Sequence, residues 1–144
     1  MGKGEKVFPS AATRTTTIGV RVPARYDQLV MLRALAETIA LIADFGIDEV
    51  ADIRLALDEV ATALMQDAVP GTDLDCSLAY GEASMDISVT ARTVTEDGPD
   101  RTGFGWHILT TLTESVSIDT GPRDASGGYL TTVHFRWSRG RADA

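Results

Sequence analysis

Between Thr15 and Val22 the chain alternates, TTTIGVRV, in residue types that favour extended backbone, and Pro23 closes the run, so this stretch is predicted to be a strand. The period then changes. From Tyr26 to Phe45, Leu29, Leu32, Leu35, Ala36, Ile39 and Ile42 recur at helical spacing, which predicts a first helix. Val30, Met31 and Leu41 carry apolar character onto a second face, suited to packing on another helix or on a second copy of the chain. Gly46 breaks the chain, and Asp48 is the expected N-cap of a second helix from Asp48 to Asp67, with Val50, Ile53, Leu57, Val60 and Leu64 as its core stripe. Pro70 and Gly71 stop it.

The period-two pattern returns in Leu74–Tyr80 and Met85–Arg92, a predicted hairpin turning at Gly81 and Glu82. Thr93–Arg101 reads as a polar loop. Gly103-Phe104-Gly105 leads into an apolar helix, Trp106–Leu112. Two more strands follow, Val116–Asp119 and Tyr129–Trp137, joined by a turn-rich segment from Gly121 to Gly128. The order of strand, two helices, two strands, helix and two strands predicts an α+β fold, a two-layer sandwich with helices on one face of a sheet. The domain is expected over residues 14–138, between loose tails at 1–13 and 139–144.

With 144 residues, 44% of them hydrophobic, the chain has enough apolar surface for one core and no second domain. No apolar run approaches the ~20 residues of a membrane-spanning helix. Lys3 and Lys6 are not followed by the apolar run of a secretory signal, so the cytoplasm is the expected location. The net charge is −8, but residues 15–138 hold eight basic and nineteen acidic side chains, a net of −11. Such a field repels phosphate backbones and attracts basic surfaces, which argues against direct nucleic-acid binding and for a basic protein partner. Acidity that serves only solubility is the plainer alternative.

Catalytic constellations are scarce. A single cysteine, Cys76, excludes an internal disulfide, and its place in an alternating strand predicts a buried, inert thiol rather than a redox centre. Two histidines are too few for a common metal cluster; His134 is expected at the surface or edge of its strand and His107 to be structural. Asp58 and Glu59 are adjacent on a helix, so their side chains diverge and cannot act as a paired acid and base. Gly103 and Gly105 at a helix start are the one phosphate-style signal, because glycines let backbone N–H groups approach an anion at the positive end of the helix dipole. A plain loop-to-helix turn explains them equally well.

Taken together, the element order, Asp52-Ile-Arg-Leu-Ala-Leu-Asp-Glu59-Val-Ala-Thr62 and Gly103-Phe-Gly105-Trp-His-Ile-Leu running on to Val116-Ser-Ile-Asp119 resemble the RsbW type of anti-sigma factor and serine kinase. That family belongs to the histidine-kinase-like (GHKL) ATPases. The resemblance spans residues 15–137 and implies the Bergerat-type sandwich with a mixed, mostly antiparallel sheet. It also implies a homodimer that holds an alternative sigma factor away from RNA polymerase in bacterial stress responses. A STAS-type anti-anti-sigma protein, inactivated by phosphorylation, would be the competing partner. Arg33 matches an arginine of the family's partner surface, Arg25 stands with it just ahead of the helix, and Thr15–Val22 matches the dimer interface.

For the kinase the resemblance implies Glu59 as catalytic base and Gly103 and Gly105 as cofactor-binding, with ATP and magnesium as cofactors. The chain departs from that pattern in four places. Ala63 stands where the family has a magnesium-binding asparagine, and an alanine has no oxygen for a hard cation. No adenine-binding aspartate occurs near Ala91, Arg92-Thr-Val-Thr95 replaces the first glycine box, and residues 92–102 are too few for a mobile lid. Asp97 or Asp100 could offset part of this from the loop. The expectation is therefore an anti-sigma factor without nucleotide-dependent catalysis. An active serine kinase and a binding module with another client, such as a paralogous anti-sigma factor, are the alternatives.

Overall fold

Among the described residues, 15–138 of a computed structural model, β1 (Thr16–Pro23) leads through a 3-10 turn (Tyr26–Gln28) into α1 (Leu29–Ile42) and α2 (Ile47–Gln66). Then come β2 (Asp73–Tyr80), β3 (Ser84–Thr93), α3 (Phe104–Leu112), β4 (Ser115–Arg123) and β5 (Tyr129–Ser138). The tails expected at 1–13 and 139–144 lie outside the described residues.

The five strands form one sheet in the order β1-β2-β3-β5-β4. All four pairings are antiparallel, so the parallel pair of a mixed sheet does not occur among the described residues. Alternation sorts the two faces. Leu74, Cys76 and Leu78 of β2, Met85, Ile87 and Val89 of β3, and Val133, Phe135 and Trp137 of β5 are all buried. Ser77, Ser88, Thr90, Thr132, His134 and Arg136 point to the opposite, partly exposed face. An antiparallel sheet with one covered and one solvated face produces this pattern, and a one-residue slip would exchange the two sets.

His134 lies on the open face as expected, but not at an edge, because β5 is paired on both sides. Its Nδ1 is 2.8 Å from the Ser88 hydroxyl, and Arg136 next to it donates to both oxygens of Asp86. On the covered face, burial pushes the Cys76 thiol up to about 12, which keeps it protonated and unreactive at neutral pH.

The helices cover the apolar face. α2 supplies Val50, Ile53, Leu57, Val60 and Leu64, all buried, together with Ala56 and Ala61. α1 lies along α2 and buries Leu29, Leu32, Ala36, Ile39 and Ala40. It is shorter than predicted. Asp44 adopts a left-handed φ of 68°, and the N–H of Phe45 returns to the carbonyl of Ala40 at 3.0 Å, a Schellman-type stop that leaves Ile42 on the outside. The N-cap of α2 is Gly46, not Asp48: Glu49 reaches back to accept the Gly46 N–H at 3.1 Å, while Asp48 sits inside the first turn, where its charge suits the helix dipole. β4 runs well beyond the short strand predicted, because it pairs with β5 from Ser115 to Thr120 and, past a register irregularity, again at Arg123.

Candidate functional site

Two regions carry the residues singled out from the sequence. The first is a cleft of about 470 Å³ between α2, the loop of residues 94–103 and the start of α3. α2 presents Glu59, Thr62, Ala63 and Gln66 to it, the three- and four-residue spacing of one helix face. Ala63 is thus one turn beyond Glu59 on the same wall, offering only a methyl group. From the loop, Thr95, Asp100 and Gly103 complete the lining, with Gly105 and Trp106 of α3. Of the two loop acids named from the sequence, Asp100 lines the cleft and Asp97 lines the neighbouring surface of the loop.

The cleft brings Glu59, Gly103 and Gly105 together. α3 begins at Phe104, two residues earlier than predicted, with Gly103 as its N-cap and Gly105 in its first turn. The Glu59 carboxylate lies over Gly105 so closely that a Cβ there would overlap its Oε1. Asp58 points elsewhere, to Arg33, so the two neighbouring acids do diverge. At the far end of the cleft, the N–H and hydroxyl of Thr95 donate to Asp67 at 3.3 and 2.5 Å. Ala91 is buried in the sheet core and does not line the cleft; the chain reaches it only at Thr95. Among the described residues the lining contains Glu59, Asp67 and Asp100 but no lysine or arginine. Asp100 is held below the usual carboxylate range by the hydroxyl and N–H of Thr102, so it carries its charge.

The second region is the outer surface of α1 and α2. Arg33 Nε donates to Asp58 at 2.8 Å across the two helices, and Arg54 faces Glu37 at 3.7 Å. Between these pairs runs a shallow groove lined by Arg33, Ala51, Arg54, Leu55 and Asp58. The expected second stripe of α1 is exposed: Val30 keeps 69% of its surface, Met31 52% and Leu41 56%, and Ile42, expected on the covered face, joins them at 61%. Arg25 lies outside the groove lining and pairs locally with Asp27 at 3.3 Å. β1 is the outermost strand of the sheet, so one of its edges is free of strand partners among the described residues.

The partners of these groups were not legible in the sequence. Asp58 with Arg33, Glu37 with Arg54, and Asp67 with Thr95 are 17 to 28 residues apart and meet only through tertiary packing. Among the described residues no group of three or more His, Cys, Asp or Glu side chains is placed to hold a metal ion. No helix among them is long and apolar enough to cross a membrane.

A three-helix layer on an open five-stranded antiparallel sheet, with a cleft between α2 and the start of α3, defines a protein of the histidine-kinase-like ATPase fold. Consistent with this, the chain is similar to the solved structure of the RsbU and RsbW domains of Rv1364c from Mycobacterium tuberculosis. The TM-score is 0.59 at 18% identity, over 86% of this chain and 33% of that one. No family model matches the chain. In sequence it is 34% identical over 99 residues to anti-sigma-F factor RsbW of Mycobacterium tuberculosis, in both strain CDC 1551 / Oshkosh and strain H37Rv. The match covers 69% of this chain and 59% of those curated relatives. The chain belongs to the RsbW-type family.

Proposed function

We propose that this chain is an anti-sigma factor that sequesters an alternative sigma factor through the surface of α1 and α2, without nucleotide. The observation that carries the reading is α1 itself. Apart from Arg33 and Glu37 it has no charged residue, and it exposes Val30 and Met31 in its first turn and Leu41 and Ile42 in its last, with Ala34, Glu37 and Thr38 between them. A helix that is apolar on both faces is stable in water only when the outer face finds a partner. Arg33, held in place by Asp58, supplies a fixed charged group beside that stripe, the composition of a protein-binding surface.

The residues of the cleft do not fit ATP and magnesium. Ala63 has no ligand oxygen, and three carboxylates, with no basic side chain among the described lining residues, oppose a triphosphate. Release of the sigma factor is therefore assigned to competition by a STAS-type antagonist, and the edge of β1 with the start of α1 to a homodimer contact in the cytoplasm.

The test is to reconstitute transcription by RNA polymerase with each alternative sigma factor of the source organism, adding this chain with and without ATP and magnesium. Inhibition of one sigma factor, equal in both conditions, supports the proposal. Inhibition that requires ATP, or that touches no sigma factor, sinks it.

A further inference from the structure

We infer that the end of the α1–α2 hairpin seats a basic amphipathic helix, whose aliphatic stripe covers Ile42, Ile47 and Leu55 and whose lysines or arginines face Asp48 and Asp52. The inference rests on the anti-sigma reading above and deepens it by naming the kind of segment the partner presents.

The apolar surface is concentrated where the two helices meet. Leu41 and Ile42 close α1, and Ile47, which opens α2, keeps 84% of its surface in water. From Ile47 the pattern continues in steps of four through Ala51 to Leu55, both exposed, so the three share one side of α2. Ala51 and Leu55 also line the groove that holds Arg33 and Asp58, so the stripe runs from the hairpin end into that groove. Eight residues of helix span about 12 Å, a little over two turns. A stripe of that length along a helix suits a second helix laid lengthwise on it, read through residues three and four apart.

Charge decides which helix. Residues 38–53 include Asp44, Asp48, Glu49 and Asp52 but no lysine or arginine. Asp48 and Asp52 stand one turn apart on the flank of the stripe. The Asp52 carboxyl is raised above its ordinary value by burial and then by Asp48 and Glu49, as happens where like charges crowd together. Farther along the hairpin, Arg33 meets Asp58 at 2.8 Å and Arg54 faces Glu37 at 3.7 Å. Those pairs cancel the charge at the middle of the hairpin and leave the negative field at its end. An acidic helix is repelled there, and a second copy docked about a two-fold axis would set the same acids against one another.

Calorimetry of the full chain with a synthetic leucine–lysine amphipathic helix, about five turns long, tests the inference. The wild type should bind it, and Ile42→Ser/Ile47→Ser should weaken binding on the order of tenfold with Tm unchanged, because both side chains are exposed. Asp48→Asn/Asp52→Asn should weaken it less and flatten its salt dependence. Glu96→Gln/Asp97→Asn removes the same charge from the loop of residues 94–103 and should leave affinity as it is. No binding by the wild type, an equal loss in the loop variant, or equally tight binding of a leucine–glutamate helix would overturn the inference. So would two further results. Loss of a dimer in Ile42→Ser/Ile47→Ser, followed by sedimentation, would give the surface to a second copy. Tighter peptide binding by Lys3→Ser/Lys6→Ser would give it to the chain's own leading segment. The peptide stands in for the sigma factor, so failure here leaves the transcription test of the anti-sigma reading untouched.

Discussion

The cleft and the outer face of α1 are built from the same helical layer and have opposite fates. In and beside the cleft, threonine donors are turned on carboxylates of the same chain, Thr95 to Asp67 and Thr102 to Asp100, while Glu59 lies against Gly105. On α1 the exposed groups are mostly apolar, and no described residue covers Val30, Leu41 and Ile42. The difference teaches where binding free energy is available. A site whose hydroxyl donors already serve its own carboxylates, and whose charges repel an anion, offers such a ligand little net gain, whereas covering an apolar stripe contributes a gross gain of about 25 cal/mol per Å², set against the costs of association.

The strongest way to break this contrast is to charge the stripe. Val30→Asp with Leu41→Asp is expected to weaken sigma-factor binding on the order of 100-fold in calorimetry, with Tm unchanged, since neither side chain is in the core. An affinity within twofold of wild type would show that α1 is not the surface. Arg33→Ala is next, with a loss on the order of tenfold, because it removes the fixed cation and leaves Asp58 without its 2.8 Å partner. Glu59→Ala in the same assay should leave affinity unchanged; a matching loss there would merge the two regions into one.

A substitution in the β4–β5 turn separates stability from binding. Asp124, in the turn between β4 and β5, accepts from Ser126, Arg92 and Gly128, which hold its carboxyl well below the usual carboxylate range. Its contribution is present above the unfolded carboxylate value, about pH 4, and is lost as pH falls from there toward the folded value. Asp124→Asn should therefore lower Tm at pH 7, by an amount that shrinks below about pH 4, with sigma binding intact. A Tm deficit that does not change with pH would remove the charge from the explanation.

The smallest effect is expected at Asp52, whose pKa is raised by burial and by the neighbouring charges of Asp48 and Glu49. A raised carboxylate disfavours the folded state once ionised, and the penalty is relieved as pH falls through the folded value. Asp52→Asn is expected to raise Tm by about 1 °C at neutral pH and by nothing in acid. It should also slow association with a basic partner at low salt. If the on-rate is unchanged by salt in both proteins, the acidic field plays no part in encounter.

Most of the layer architecture was legible because it rests on periods. The alternation in β3 and the three- and four-residue spacing of Val50, Ile53, Leu57, Val60 and Leu64 report directly which face is buried, and all five of these α2 residues are. Ends were less legible. The same apolar spacing that fixed the body of α1 also carried Ile42 into the predicted core, but the left-handed Asp44 stops the helix there and leaves it exposed. Asp48 had the right side chain for a cap, yet the capping role fell to Gly46 because Glu49 could reach back to it. In the cleft, helical spacing put Ala63 on the face of Glu59, one turn away, and the family resemblance gave that position its meaning. The match of Asp67 with Thr95 could not, since no local pattern links positions so far apart.

The sequence by itself determined the order of elements, the covered face of the sheet, the buried thiol of Cys76 and the absence of a ligand oxygen at position 63, because each follows from residue type and local period. Tertiary structure decided the rest. It placed His134 inside the sheet rather than at its edge, since strand order is set by how the chain returns and not by any one strand. It paired Arg33 with Asp58 and set Glu59 against Gly105. Those contacts are made by residues remote in the chain, and only the packing of α1, α2 and α3 on one sheet brings them within reach.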